Sequence, residues 1–246
     1  MSDFTEKYMQ LQAELGNSAQ EPSNALVPMV ITRDGPNERA MDITSRLLQQ
    51  GIIILDGPVE GAMQTIFKQS MLYLINGITS GELKDTDGKT IKLYIHSPGG
   101  SVLDGLSMYE VICLAKSKGV SVQTVTTGMA ASMGTFLATV GTKGKRYIAP
   151  HATFMVHQLS GGQHGQLSHM NVSNEYSNYL WEKMVDIYQY HNNVYGQDRD
   201  TLKKVLINAT AVLDKANTDN YLTAEEAVAH GFVDQVLNLP PAEGCA

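Results

Sequence analysis

The sequence predicts an α/β protein with a parallel sheet and crossover helices, and three observations carry that prediction. Short apolar runs rich in β-branched residues recur at GIIILDG (51–57), IKLYIHS (91–97) and SVQTVTT (121–127). Between the first two, Met63, Ile66, Phe67, Ser70, Met71 and Leu74 follow the three–four spacing of an amphipathic helix. Small-residue junctions, SPGGS (97–101) and AASMG (130–134), then stand where a strand would hand over to a helix. Strand and helix in alternation is the pattern of a parallel sheet with right-handed crossovers.

Each element can be read in order. Residues 1–24 are polar and separable from a body that opens sharply at ALVPMVI (25–31). The turn-prone RDGPNE (33–38) precedes a short helix at SRLLQQ, and GIIILDG reads as a strand buried on both faces. After the amphipathic helix, the polar, glycine-rich stretch 77–90 reads as an exposed loop. IKLYIHS, a helix over Val102–Lys118 and SVQTVTT follow, then a helix from Ser132 with Phe136, Leu137 and Val140 on its apolar side. KRYIAP (145–150) and ATFMVHQ (152–158) supply two further strands. A long helix spans Met170–Tyr195, with Tyr176, Tyr179, Leu180, Met184, Ile187, Tyr188 and His191 at helical spacing, and a shorter one covers Arg199–Leu213. The chain closes with a short helix capped by Thr223 and stopped at Gly231, then a strand.

Composition narrows the function. The 246 residues are 43% hydrophobic and 17% charged, as in an ordinary globular chain long enough for a large core. A net charge of -7 opposes a nucleic-acid groove, which needs concentrated positive charge. No apolar run approaches the roughly 20 residues a membrane helix requires. The first residues lack the pattern of a secretory signal, and the two cysteines, Cys113 and Cys245, fit free thiols in a reducing, cytoplasmic compartment.

Two stretches carry chemistry. Serine becomes a nucleophile when a base takes its proton and nearby donors stabilise the oxyanion. Around Ser132, Gly128, Ala130, Ala131 and Gly134 leave room for a substrate backbone, and the N–H groups of Met133 and Gly100 are candidate oxyanion donors. The same small residues also suit helix–sheet packing, with Ser132 as a helix cap. His157 ends the strand ATFMV, where a base would reach a serine on the adjacent turn. The histidines at 151, 157, 164 and 169 have no metal-pair spacing, so no metal is expected. A carboxylate to orient the base has three candidates beyond the helical arm: Asp214, Asp219 and Asp234, and composition does not choose among them.

Taken in order, LVPMVI, SRLL, YIHSPGGSV, GMAASMG, GTKGKR, FMVHQ and YLTAEEAVAHGFVD resemble the Clp protease proteolytic subunits (ClpP) from Ala25 to about Leu237. The resemblance implies a ClpP/crotonase-type fold of repeated β-β-α units, with a projecting helical handle over about 160–215 in a domain spanning 25–240. It implies a Ser132 nucleophile, a His157 base and an Asp219 orienting acid, with an oxyanion hole at Gly100 and Met133. It further implies a homo-oligomer of two stacked heptameric rings joined by the long helix. The rings would be fed unfolded polypeptides by an AAA+ unfoldase of the ClpX or ClpA kind. ATP would be used by that partner, so no cofactor is expected. Residues 1–24 would be a propeptide cut near Asn24–Ala25, and 241–246 a short tail.

Several positions depart from the family pattern. The stretches 77–90 and 196–218 are longer than usual, and Asp214 stands as the alternative to Asp219. Asn220 replaces an arginine of ring-to-ring contacts, Leu159 a proline, and Lys92 an aromatic of the ATPase-docking pocket that Tyr94 otherwise keeps. Three other readings compete: a catalytically silent or regulatory ring subunit, a crotonase-type acyl-CoA enzyme, and a Ser–Lys peptidase using Lys143 or Lys145.

Overall fold

The structure, a computed structural model, describes residues 28–34, 37–83, 86–161, 165–192, 194, 198–207 and 219–238. It divides into two compact units, one running to Arg46 and a much larger one from Leu47. In the first, β1 (Met29–Asp34) and β2 (Asn37–Asp42) form an antiparallel hairpin with Met29 opposite Asp42. The turn expected over 33–38 is therefore mostly strand, since Arg33 and Asp34 end β1 and Asn37 and Glu38 begin β2. Nothing in polar NERAMD signals a strand; cross-strand pairing imposes the conformation. At the start of α1 (Ile43–Gln49), Asp42 accepts from the Ser45 N–H and hydroxyl at 2.8 and 2.5 Å. Those bonds hold its carboxyl below the usual carboxylate range.

The second unit is built on a seven-stranded sheet. β3 (Ile52–Asp56), β4 (Thr90–Ser97), β5 (Ser121–Ala131), β6 (Arg146–Ile148) and β9 (Gln235–Val236) lie in that order, each parallel to its neighbour. β7 (Thr153–Val156) pairs parallel with the far end of β5 and antiparallel with β8 (Asn220–Leu222). Helices α2 (Gly61–Ser80), α3 (Val102–Ser117) and α4 (Met133–Thr139) connect β3 to β4, β4 to β5 and β5 to β6. α5 (Leu167–His191) is the long arm, followed by α6 (Arg199–Leu206) and α7 (Ala224–Ala229). This is the α/β arrangement expected of a ClpP/crotonase-type fold, with α5 in the place of the handle.

Apolar burial explains where the site sits. Leu93 and Ile95 of β4, Phe67, Met71 and Leu74 of α2, Met108 and Ile112 of α3, and Phe136 of α4 form one core, all nearly inaccessible. Each such side chain contributes about 1.5–3 kcal/mol on burial. The carboxyl ends of β4 and β5 therefore hang on a rigid base, and the turns leaving them inherit that rigidity.

The structure corrects several sequence-based boundaries. β3 is an edge strand with one covered face, so Ile53 and Leu55 are buried while Ile54 is 58% exposed, against the expectation of burial on both faces. α2 continues through Ser80, so the loop expected from 77 starts four residues later, at Gly81. β5 runs on through GMAA to Ala131, because β7 pairs with those residues. α5 begins at Leu167 and ends at His191, and α6 ends at Leu206. Tyr195, Asp214, His164, Cys245 and the segments 1–24 and 241–246 lie outside the described residues. Around α7, Thr223 and Glu226 form the reciprocal capping box read from sequence.

Candidate active site

Ser132 occupies the single residue between β5 and α4, and it holds an unusual backbone conformation, φ 53° and ψ −118°. A non-glycine residue there costs about 1–3 kcal/mol, so its surroundings must enforce it. They do so through β7: the Ser132 N–H donates to the Met155 carbonyl at 3.0 Å. The buried Thr135 hydroxyl sits 2.7 Å from the Ala130 carbonyl and 2.6 Å from that of Met155, bracing both sides of the turn. Sequence reasoning did not single out Thr135. A threonine three residues past the candidate nucleophile is the only signal, and it has no meaning until β7 is placed.

The strand β7 also delivers the base. His157 directly follows Val156, and its Nε2 lies 2.8 Å from Ser132 Oγ. On the other side of the ring, Nδ1 is 3.7 Å from Asp219 Oδ1, an ion-pair distance rather than a hydrogen bond. Register explains this neighbour. Val156 pairs with Asn220 across the antiparallel β7–β8 ladder, so the residues just beyond, His157 and Asp219, face each other across it. Asn220 anchors β8 in turn, donating from Nδ2 to the Val205 carbonyl of α6 at 3.1 Å.

The other candidates are placed elsewhere. Asp234 accepts from Arg146 through both carboxylate oxygens, at 3.0 and 2.6 Å, beside β6 and β9. Lys145 Nζ donates to Thr90 Oγ1 at 2.9 Å, at the opposite end of β4 from the SPGG turn. Lys143 lies with its Nζ 6.0 Å from the Tyr190 ring centre. Among the described residues, no three His, Cys, Asp or Glu side chains converge where a metal ion would sit. Nor is any helix there long and apolar enough to cross a membrane.

The SPGG turn forms the remaining wall. Gly99 has φ 93°, and a Cβ there would lie 2.6 Å from both the Ala131 carbonyl oxygen and Ser132 Cβ. Gly100 has φ 150°, and a Cβ there would collide with the Val59 carbonyl. Val59 bonds on either side of Gly100, its N–H to the Gly99 carbonyl and its carbonyl to the Ser101 N–H, both at 2.8 Å. In a parallel bridge that arrangement turns the N–H of Gly100 itself away from Val59. Met133 opens α4, where the first N–H groups have no intrahelical acceptor. A cavity of about 50 Å³ beside Ser132 is lined by Gly100, His157, Leu159, Met184 and Tyr188 among others. Burial pushes the Tyr188 phenol above its ordinary value, so it stays neutral. Met184 and Tyr188 read in sequence only as apolar positions of the long helix.

A hydroxyl on a strained turn, a ring nitrogen in hydrogen-bond reach and a carboxylate behind the ring can together move a proton and stabilise the resulting cation. Among known proteins, the family model described as Clp protease matches residues 35–239.

Proposed function

The chain belongs to the Clp protease family and is a peptidase, and from that premise we propose that it is a serine endopeptidase acting through an acyl-enzyme on Ser132. His157 Nε2 accepts the hydroxyl proton as Oγ attacks the scissile carbonyl carbon, and the carbonyl oxygen takes the negative charge. The N–H groups of Gly100 and Met133 supply donors to that oxygen. Collapse of the tetrahedral intermediate breaks the C–N bond, and His157 gives its proton to the leaving amine. Water, deprotonated by the same imidazole, then releases the carboxylate product and restores Oγ–H. The Asp219 carboxylate on the Nδ1 side of the ring stabilises the imidazolium through its charge.

The observation that carries this reading is the 2.8 Å contact between His157 Nε2 and Ser132 Oγ on a backbone held off the ordinary minima. Its test is hydrolysis of a fluorogenic peptide by the wild type, Ser132→Ala and His157→Ala. Each substitution lowers kcat/KM by about 10⁴ or more. Retained activity in Ser132→Ala sinks the serine mechanism, and retained activity in His157→Ala removes His157 as the base.

The proposal extends to assembly. Along α5, Leu167, Val172, Tyr176 and Tyr179 are at least half exposed, an apolar surface suited to burial against another copy. Stacked rings joined through α5, loaded with unfolded chains by an AAA+ unfoldase in the cytoplasm, account for that surface. Residues 1–24 are then a propeptide, and N-terminal sequencing of the active preparation finds a start near Ala25.

A further inference from the structure

Two threonines of α4 place their hydroxyls differently. Thr139 returns its own to the Thr135 carbonyl one turn back, at 2.9 Å, the ordinary bond of a helical threonine. Thr135 does not. Its Oγ1 lies 2.7 Å from the Ala130 carbonyl oxygen, five residues back in β5, and 2.6 Å from that of Met155 in β7. The residue is fully buried, so bulk water does not compete for the hydroxyl.

The two carbonyls hold matching places. Ala130 stands two residues before Ser132, and Met155 two residues before His157. β5 and β7 pair there over only three residues, Met129 with Thr153, Ala130 with Phe154 and Ala131 with Met155. The Met155 carbonyl also accepts from the Ser132 N–H at 3.0 Å. One hydroxyl, with a single proton to share, thus joins the strand of the nucleophile to the strand of the base.

Resting on the serine-peptidase reading above, we propose that Thr135 is a positioning residue. Its hydroxyl sets the spacing of β5 and β7, and so keeps Ser132 Oγ within reach of His157 Nε2. That contact is 2.8 Å, and a drift of about 1 Å between reacting groups costs about 10²-fold in rate. A valine in its place would set a methyl carbon where the hydroxyl oxygen stands. Such a carbon needs about 3.3 Å from a carbonyl oxygen, so the strands must part. An alanine removes the hydroxyl without that crowding.

The test reads the second-order rate at which a fluorophosphonate labels Ser132, by intact mass, in assembled preparations. The wild type is compared with Thr135→Ser, Thr135→Ala and Thr135→Val, and Tm is measured alongside. Thr135→Ser keeps the hydroxyl and labels within about twofold of the wild type, although loss of the methyl lowers its Tm. Thr135→Ala and Thr135→Val each label about tenfold more slowly. A rate constant does not depend on how much of a preparation is folded. Rates that follow Tm instead of the hydroxyl, with Thr135→Ser as slow as Thr135→Ala, overturn the inference alone. So do hydroxyl-free variants that label at the wild-type rate. Failure of both hydroxyl-free variants to fold makes the bond a structural one, and overturns it too. A wild type that never labels at Ser132 overturns the serine mechanism, and this inference with it.

Discussion

At Ser132 the backbone conformation and the hydroxyl's role are tied together. A residue at φ 53° and ψ −118° projects Oγ toward His157 instead of capping α4, and the side chain makes no cap bond to that helix. The bland alternative open to the sequence, a serine kept as a helix cap, is thus removed by the dihedral itself. Gly99→Ala places a methyl against Ser132 Cβ and the Ala131 carbonyl, and kcat/KM falls at least about a hundredfold through misplacement of the nucleophile. Asp219→Asn keeps the shape but loses the charge behind the imidazole, and kcat/KM falls by about 10³–10⁴. Asp214→Asn in the same assay retains wild-type kcat/KM. Reversal of that pair of results would move the orienting role to Asp214.

Among the elements, the short ones decide the site, and these were least legible in the sequence. The long periodic segments, α2, α3 and α5, announce themselves by apolar spacing, and α7 by its capping box. β8 has three residues and no pattern of its own, yet its register against β7 brings Asp219 to His157. Resemblance chose Asp219 among three aspartates; β8 supplies the physical reason that this one lies beside His157. The far end of β5 was equally hidden, because alanine and glycine form a strand there only through their pairing with β7. Arg146, fully buried, ties four elements together. Its guanidinium bonds Asp234 near β9, the Thr139 carbonyl ending α4 at 3.0 Å and the His191 carbonyl ending α5 at 2.7 Å. Arg146→Met takes the cation from Asp234, which keeps the bond from the residue-146 backbone N–H, and takes the guanidinium donor from those carbonyls, and urea unfolding shows a loss of about 3–5 kcal/mol. Arg146→Met/Asp234→Leu recovers part of it, since the carboxylate that lost its cation is gone.

For the whole molecule, the histidine that bears on stability is not the one proposed for activity. His191 is buried at the end of α5, its Nε2 3.4 Å from the Tyr109 hydroxyl, and Lys116, Arg146 and Lys143 bear on it. Burial foremost, then those cations, hold its imidazole down at about 3, so it is neutral in the fold. An unfolded chain protonates that ring near pH 6.5. The stability this group contributes is therefore complete above about pH 6.5 and drains away as pH falls toward 3. Thermal unfolding across that range shows the wild type losing Tm faster than His191→Gln; parallel curves would contradict the assignment. The proposed chemistry rests instead on Ser132 and His157, and its central claim is that Ser132 is an activated nucleophile. Intact mass spectrometry after treatment with a fluorophosphonate, on the assembled wild type and on Ser132→Ala, tests it most directly. One adduct per chain is expected, mapped to Ser132 and absent from the variant. No adduct on the assembled wild type, or an adduct that persists in Ser132→Ala, would contradict it.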